Sequence, residues 1–206
     1  MKIKNIVFGH NTSYVSCKSV GYSVSTNVIG SQDLYQFITG INYLDGEIDS
    51  GFWAVSYLLS MYRKHSKDFI LFRSPEVEIN GNTMPLEELL PYSCYMDRHY
   101  PLYSTRKTIR QMVTRGIKKN HLDMSADDVR DLFQLDSQRF ERPLQQVGNE
   151  KFRCMGAIGY VYGKQVYCFP WLSASRFEAY HGNMTWLLDT LKSLEMIAIV
   201  PRGKKD

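Results

Sequence analysis

No two of the four cysteines, Cys17, Cys94, Cys154 and Cys168, are spaced as C-x-x-C. Neither a zinc ribbon nor a redox dithiol is written in the chain, and reduced, buried thiols of a cytosolic protein without a signal peptide are expected. None of the histidines His10, His65, His99, His121 and His181 stands three or four residues from another, and H-E-x-x-H is absent; no metal site is expected. Ser31 and Ser173 lack a G-x-S-x-G setting, so no nucleophile elbow is present. The longest apolar run, "GFWAVSYLLSMY" at 51–62, falls short of the roughly 18–20 residues that span a bilayer. Internal repeats and low-complexity stretches are also missing. Charge is nearly balanced, with 25 Lys and Arg against 21 Asp and Glu and a net charge of +4. The basic runs at 63–67, 116–120 and 202–206 read as solvated faces, so no nucleic-acid partner is expected.

What the chain does have is aromatic mass: 14 Tyr, 10 Phe and 3 Trp in 206 residues. That load fits one sizeable core, with a contact surface as the second use. "MKIKNIVFG" at 1–9, the stretch 19–30, "FILF" at 69–72 and "EVEING" at 76–81 read as strands, the last closing on an Asn80-Gly81 turn. Residues 31–40 follow Gly30 with Leu34, Phe37 and Ile38 at helical spacing, and "DGEID" at 45–49 reads as a turn into a short strand. Apolar residues recur at helical spacing between 104 and 140, and Ser125 with Asp128 forms a capping-box pattern before the second of these helices. A helix at 149–163, a buried strand at 165–169, a helix at 184–195 and a buried strand at 196–201 complete the chain. Continuous apolar strands alternating with helices argue for a parallel α/β sheet. The paired carboxylates Asp45/Glu47 and Asp127/Asp128 fit turn and cap positions. The aromatic face of 49–72, with Phe52, Trp53 and Tyr57, is read as core, with a partner contact as the other option.

The order of these parts resembles the ATP-binding cassette (ABC) nucleotide-binding domain. "GSQDLYQFITGINYLDGEI" at 30–48 looks like the end of a Walker A loop, its helix and a following turn. "EVEINGNTMPLEELLPYSCYMD" at 76–97 is similar to the strand and hairpin that lead to a Q-loop. "YSTRKTIRQMV" at 103–113 resembles the opening of a helical subdomain, and "RPLQQVGNEKFRCMGAIGYV" at 142–161 the signature motif and its helix. "VYCFPWLSASR" at 166–176 falls where Walker B and the D-loop would be, and "LLDTLKSLEMIAIVPRG" at 187–203 before the switch histidine. The resemblance implies a P-loop NTPase-like α/β fold with a mixed or parallel sheet core. It implies one domain over 1–206, with 1–96 and 147–206 bearing the sheet and 97–146 an inserted helical subdomain.

It also implies lost chemistry. A phosphate loop needs Lys and then Ser or Thr after its glycine; after Gly30 this sequence offers Ser31, Gln32 and Asp33. The aromatic that stacks on adenine falls near His10. The Walker B aspartate and catalytic glutamate fall on Phe169 and Pro170, and residues 164–175 hold no Asp or Glu in any register. The Q-loop glutamine falls on Asp97, the D-loop aspartate on Arg176 and the switch histidine on Arg202. The signature reads Val147, Gly148, Asn149. The expectation is a pseudo-ATPase, without catalytic residues or metal. At most it binds ATP weakly through His10, Gly30, Ser31, Gln32, Gly148 and Asn149. By resemblance it pairs as a hetero- or homodimer with an intact cassette, on the cytoplasmic face of a membrane permease, in export of peptides or drugs. The permease is expected to contact Asp97, Tyr100, Leu102 and Tyr103. The competing readings are a soluble regulatory protein on a degenerate cassette fold and a weak ATP-binding module without turnover.

Overall fold

A computed structural model describes residues 1–9, 14–16, 25–26, 34–63, 69–70, 76–97 and 100–204. The elements run β1 (Asn5–Gly9), β2 (Tyr14–Ser16), β3 (Ser25–Thr26), β4 (Leu34–Ile38), β5 (Gly40–Asp45), α1 (Phe52–Met61), β6 (Phe69–Ile70), β7 (Glu76–Ile79), β8 (Asn82–Pro85) and β9 (Ser93–Tyr95). The helices α2 (Ile109–Asn120), α3 (Ala126–Leu132), α4 (Ser137–Phe140) and α5 (Lys151–Val161) come next. The chain then forms β10 (Val166–Cys168), α6 (Ala174–Ala179), α7 (His181–Ser193) and β11 (Ile197–Arg202).

Four strands form a parallel sheet in the order β5-β11-β10-β9. The last strand of the chain thus lies between the first and third of the sheet, a doubly wound arrangement in which helices cover both faces. Side-chain alternation divides the sheet cleanly. Val166, Cys168, Ile197 and Ile199 point to one core with α1, while Tyr167, Phe169, Ala198 and Val200 point to the other with α2, α5 and α7. An antiparallel sheet, order β4-β1-β7-β8, closes the first core from the far side of α1. A short sheet, β3-β2-β6, completes the described pairings.

Helix α1 is therefore sandwiched between two sheets, and its composition follows. Eight of its ten residues are buried, so it shows no polar stripe. Its two buried serines are satisfied locally: Ser56 Oγ donates to the Phe169 carbonyl at 2.6 Å, and Ser60 Oγ to the Ser56 carbonyl at 2.9 Å. The 51–62 run is core. The α2 and α3 helices are both opened by capping boxes, Thr108 with Gln111 and Ser125 with Asp128.

Two sequence expectations are corrected. Residues 34–38 form β4, not a helix: the strand pairs antiparallel with β1, Phe37 opposite Ile6. The i, i+3, i+4 spacing of Leu34, Phe37 and Ile38 misleads, because only Phe37 is buried while Leu34 and Ile38 remain 58% and 56% exposed. Tyr35 and Phe37, two apart on one strand face, have parallel rings instead. The turn at 45–49 leads to a single 3-10 turn, Ile48–Ser50, and α1, not to a strand. The 19–30 and 69–72 strands lie largely outside the described residues. Among the described residues no helix is long and apolar enough to cross a membrane, and no cluster of His, Cys, Asp and Glu could hold a metal. Cys94, Cys154 and Cys168 are free and buried; burial pushes the Cys94 and Cys154 thiols up to about 12, which makes them inert.

Candidate functional site

In an open parallel sheet, ligands gather where loops leave the carboxyl ends of the strands. Here those loops follow β5, β11, β10 and β9. The first is a strand–loop–helix: β5 ends at Asp45, the loop runs Gly46-Glu47-Ile48-Asp49-Ser50-Gly51, and α1 begins at Phe52. Its glycines have the spacing of G-x-x-x-x-G-K-[ST], with Phe52 in the lysine's place and Trp53 in the hydroxyl residue's. The strand–loop–helix with this glycine spacing is thus 46–53, downstream of the 30–33 stretch that the sequence suggests. His10, Gly30, Ser31 and Gln32 lie outside the described residues. The signal available in the sequence is the glycine spacing across a strand end, which reading 45–49 as a turn passes over.

The loop is filled and braced by its own side chains. A Cβ at Gly46 would sit 2.7 Å from the Phe52 ring and 2.8 Å from Ser50 Oγ; the ring occupies the space that glycine leaves. Phe52 also meets Tyr35 edge to face at 6.2 Å. Ser50 Oγ and N–H both donate to the Glu47 carbonyl, at 2.6 and 3.0 Å. Gly51 takes a φ of 83°, a left-handed turn that suits glycine. Trp53 is fully buried.

Neighbouring loops tie in. The Gly46 N–H donates to the Arg202 carbonyl at 2.9 Å, and Trp171 Nε1 donates to the Gly46 carbonyl at 2.9 Å. Arg202 Nε donates to Asp45 Oδ1 at 2.6 Å, and its guanidinium lies 3.8 Å over the Tyr43 ring and 5.4 Å from Phe177. A cleft of about 510 Å³, lined by Asp45, Ala174, Phe177, Arg202, Gly203 and Lys204, lies beside this cluster.

After β10, Phe169 is fully buried and 5.9 Å from Phe152, its N–H donating to the Ile199 carbonyl at 2.9 Å. Pro170 is buried behind it. No carboxylate follows this strand before Glu178. Arg176 lies in α6, its N–H capped by Ser173 Oγ. After β9, the Asp97 carbonyl accepts the Tyr100 N–H at 3.0 Å. Tyr100 is half-buried, with its hydroxyl on the Ser93 carbonyl at 3.0 Å. Leu102 is half-buried, but Tyr103 is fully buried, donating to the Met155 carbonyl at 3.2 Å. Tyr103 is therefore a core residue and not a surface contact.

Before α5, Gly148 (φ 56°) and Asn149 are exposed, with open space around the Gly148 Cα. Val147 is buried, and Glu150 turns inward to Arg139 at 2.9 Å and Arg153 at 3.2 Å, also accepting the Asp136 N–H.

No protein-family model matches the chain, and no curated protein sequence matches it. Its fold does have relatives among solved structures. An ABC transporter ATP-binding protein from Pyrococcus furiosus superposes with a TM-score of 0.60 at 14% identity, over 98% of this chain and 92% of the other. The dimeric cassette MJ0796, in a post-hydrolysis state with ADP and Pi, gives 0.61 at 10% identity, over 97% and 88%. A bacterial Atm1-family ABC exporter with ATP bound gives 0.58 at 12% identity, over 99% of this chain but 35% of the exporter, so the chain spans about a third of that protein. At such identities the likeness is one of architecture: this chain has the α/β, P-loop NTPase-like fold of ABC-type ATP-binding domains.

Proposed function

We propose that the chain is a non-catalytic ABC-type nucleotide-binding-domain subunit, paired with an active cassette, a membrane permease or both at the cytoplasmic face of a transporter. The observation that carries this reading is Trp53, a fully buried indole where the fold would place the magnesium-binding hydroxyl, with Phe52 in the lysine's place. Both groups that neutralise triphosphate charge are replaced by aromatic rings, and Asp45 and Glu47 bring carboxylates to the same loop. The lack of any Asp or Glu at 164–175 removes the metal carboxylate and the general base in the same edge. Pairing is supported by the dimeric state of the similar cassette, and the membrane setting by the exporter. On this reading Asp97, Tyr100 and Leu102 face the permease, and Gly148 and Asn149 offer only backbone to a partner's nucleotide.

The test is isothermal titration of the purified chain with Mg-ATP, together with phosphate release. Affinity weaker than about 1 mM and no turnover are expected. Micromolar binding, or hydrolysis abolished by Gly51→Val, would overturn the reading.

A further inference from the structure

A second concave site lies at the other end of the parallel strands, where Leu90 and Pro91 precede β9 and Lys164 precedes β10. The cavity measures about 540 Å³ and is closed by the end of α1 (Ser60 to Arg63), Tyr100 to Leu102, Lys119 and Tyr162, a volume suited to a small ligand. Among the described residues its charged lining is all of one sign: Arg63, Lys119 and Lys164. Among the described residues none of these three cations takes part in an ion pair.

The two lysines are seated on aromatic faces. Lys164 Nζ lies 5.8 Å over Tyr100, and Lys119 Nζ 5.8 Å over Tyr162. Lys164 Nζ is also fixed by the carbonyls of Pro91 at 2.8 Å and Leu90 at 3.3 Å. Burial, with a smaller contribution from the Lys119 charge, lowers the Lys164 pKa: its ammonium is partly stripped of water and has no carboxylate partner among the described residues. Burial first, and then the field of Glu87, raise the Tyr62 pKa, but Glu87 does not line the cavity.

We propose that this cavity binds a small organic anion, its carboxylate or phosphate held by Lys164 and Lys119 and its apolar body laid against Tyr100, Tyr162 and Leu102. The anion supplies the missing counter-charge, and the rings supply flat apolar area without competing acid. The site is independent of the nucleotide-type loop, although it shares Tyr100 and Leu102 with the proposed permease contact.

The test is a fluorescence titration of the purified chain with 8-anilinonaphthalene-1-sulfonate, an aromatic anion, and with N-phenyl-1-naphthylamine, its uncharged counterpart. Saturable binding of the anion is expected, with the uncharged probe weaker by about tenfold. Lys164→Met and Lys119→Met should each weaken anion binding about tenfold, as for loss of one charge-assisted contact, while Lys164→Arg stays within about threefold. Equal affinity for the two probes, or unchanged anion binding in Lys119→Met, would overturn the proposal. Lys119 is exposed near the end of α2, so that variant keeps the test open should Lys164→Met not fold. Because the titration involves neither nucleotide nor permease, its failure is separable from failure of the proposed function.

Discussion

The two ends of the parallel sheet use aromatic residues in opposite ways. At the carboxyl ends, Phe52 packs on Gly46, Trp53 is buried, and Trp171 and Arg202 bridge neighbouring loops, so rings and hydrogen bonds fill the space inside the 46–53 loop. At the amino ends, Tyr100 and Tyr162 sit beneath ammonium groups at an open cavity and leave it positive. The same residue class closes one site and builds another. What differs is whether the ring takes the place of the charge or supports it. Topology therefore fixes where loops converge, and side chains alone decide what those places can hold.

The largest way to break this comparison is at Trp53. Truncating a fully buried indole costs about 3–5 kcal/mol through lost burial and the cavity left behind. Trp53→Ala should show that loss in urea unfolding, whereas a residue serving a nucleotide would be nearly silent without one. The double variant Phe52→Lys, Trp53→Thr restores the phosphate-loop pattern at a similar cost to stability. It should still not hydrolyse ATP, because Phe169 and Pro170 offer no carboxylate. Turnover by that variant would show that the lost chemistry resides in the loop alone.

Glu150 comes next. It is nearly buried and faces Arg139 and the well-covered Arg153. Glu150→Ala leaves the Arg153 charge inside without a carboxylate, held only by the Gln134 carbonyl at 2.7 Å, an expected loss of about 3 kcal/mol. A cost below about 1 kcal/mol in equilibrium unfolding would mean that water compensates this corner, so that the signature-like loop beside it is not anchored from within.

Arg202→Ala should cost less. The Arg202–Asp45 pair is substantially exposed, so screening leaves it about 0.5 kcal/mol, and stacking on Tyr43 adds about 0.5–1. Thermal unfolding in low and high salt separates these parts, since only the ion pair fades with salt.

Which of these features the sequence could disclose follows from how local each signal is. The Ser125–Asp128 box and the Asn80-Gly81 turn are complete within four residues, and both occur as read. The buried strands at β10 and β11 are legible because, covered on both faces, they show unbroken apolar runs. The β4 strand is not, because Leu34, Phe37 and Ile38 happen to satisfy a helical spacing while the pairing with β1 that decides the matter is set by residues almost thirty positions away. The phosphate-loop position escapes for a related reason. Without a lysine and hydroxyl after them, Gly46 and Gly51 are only two glycines five positions apart, and what distinguishes them is that a sheet strand ends before the first and a buried helix starts after the second. The amino-end cavity is assembled from five separated stretches and has no sequence signature.

The smallest expected effect is a pH dependence confined to the α2–α3 corner. Asp127 accepts hydrogen bonds from Arg110 and a further contact from Arg130, and the Arg110 bond, first, holds its carboxyl below the ordinary 3.8. Asp128 is also lowered, chiefly by the Ser125 backbone. A group whose folded pKa is depressed contributes stability that is present above its unfolded value and is lost as pH falls through the folded one. The Tm difference between wild type and Asp127→Asn should therefore be constant from neutral pH down to about pH 5, and should shrink toward zero as pH falls below about 4. Asp128 remains in both proteins, so its own acid limb cancels in the difference. A gap that persists at low pH would mean that Asp127 acts through packing or capping, and not through its charge on Arg110.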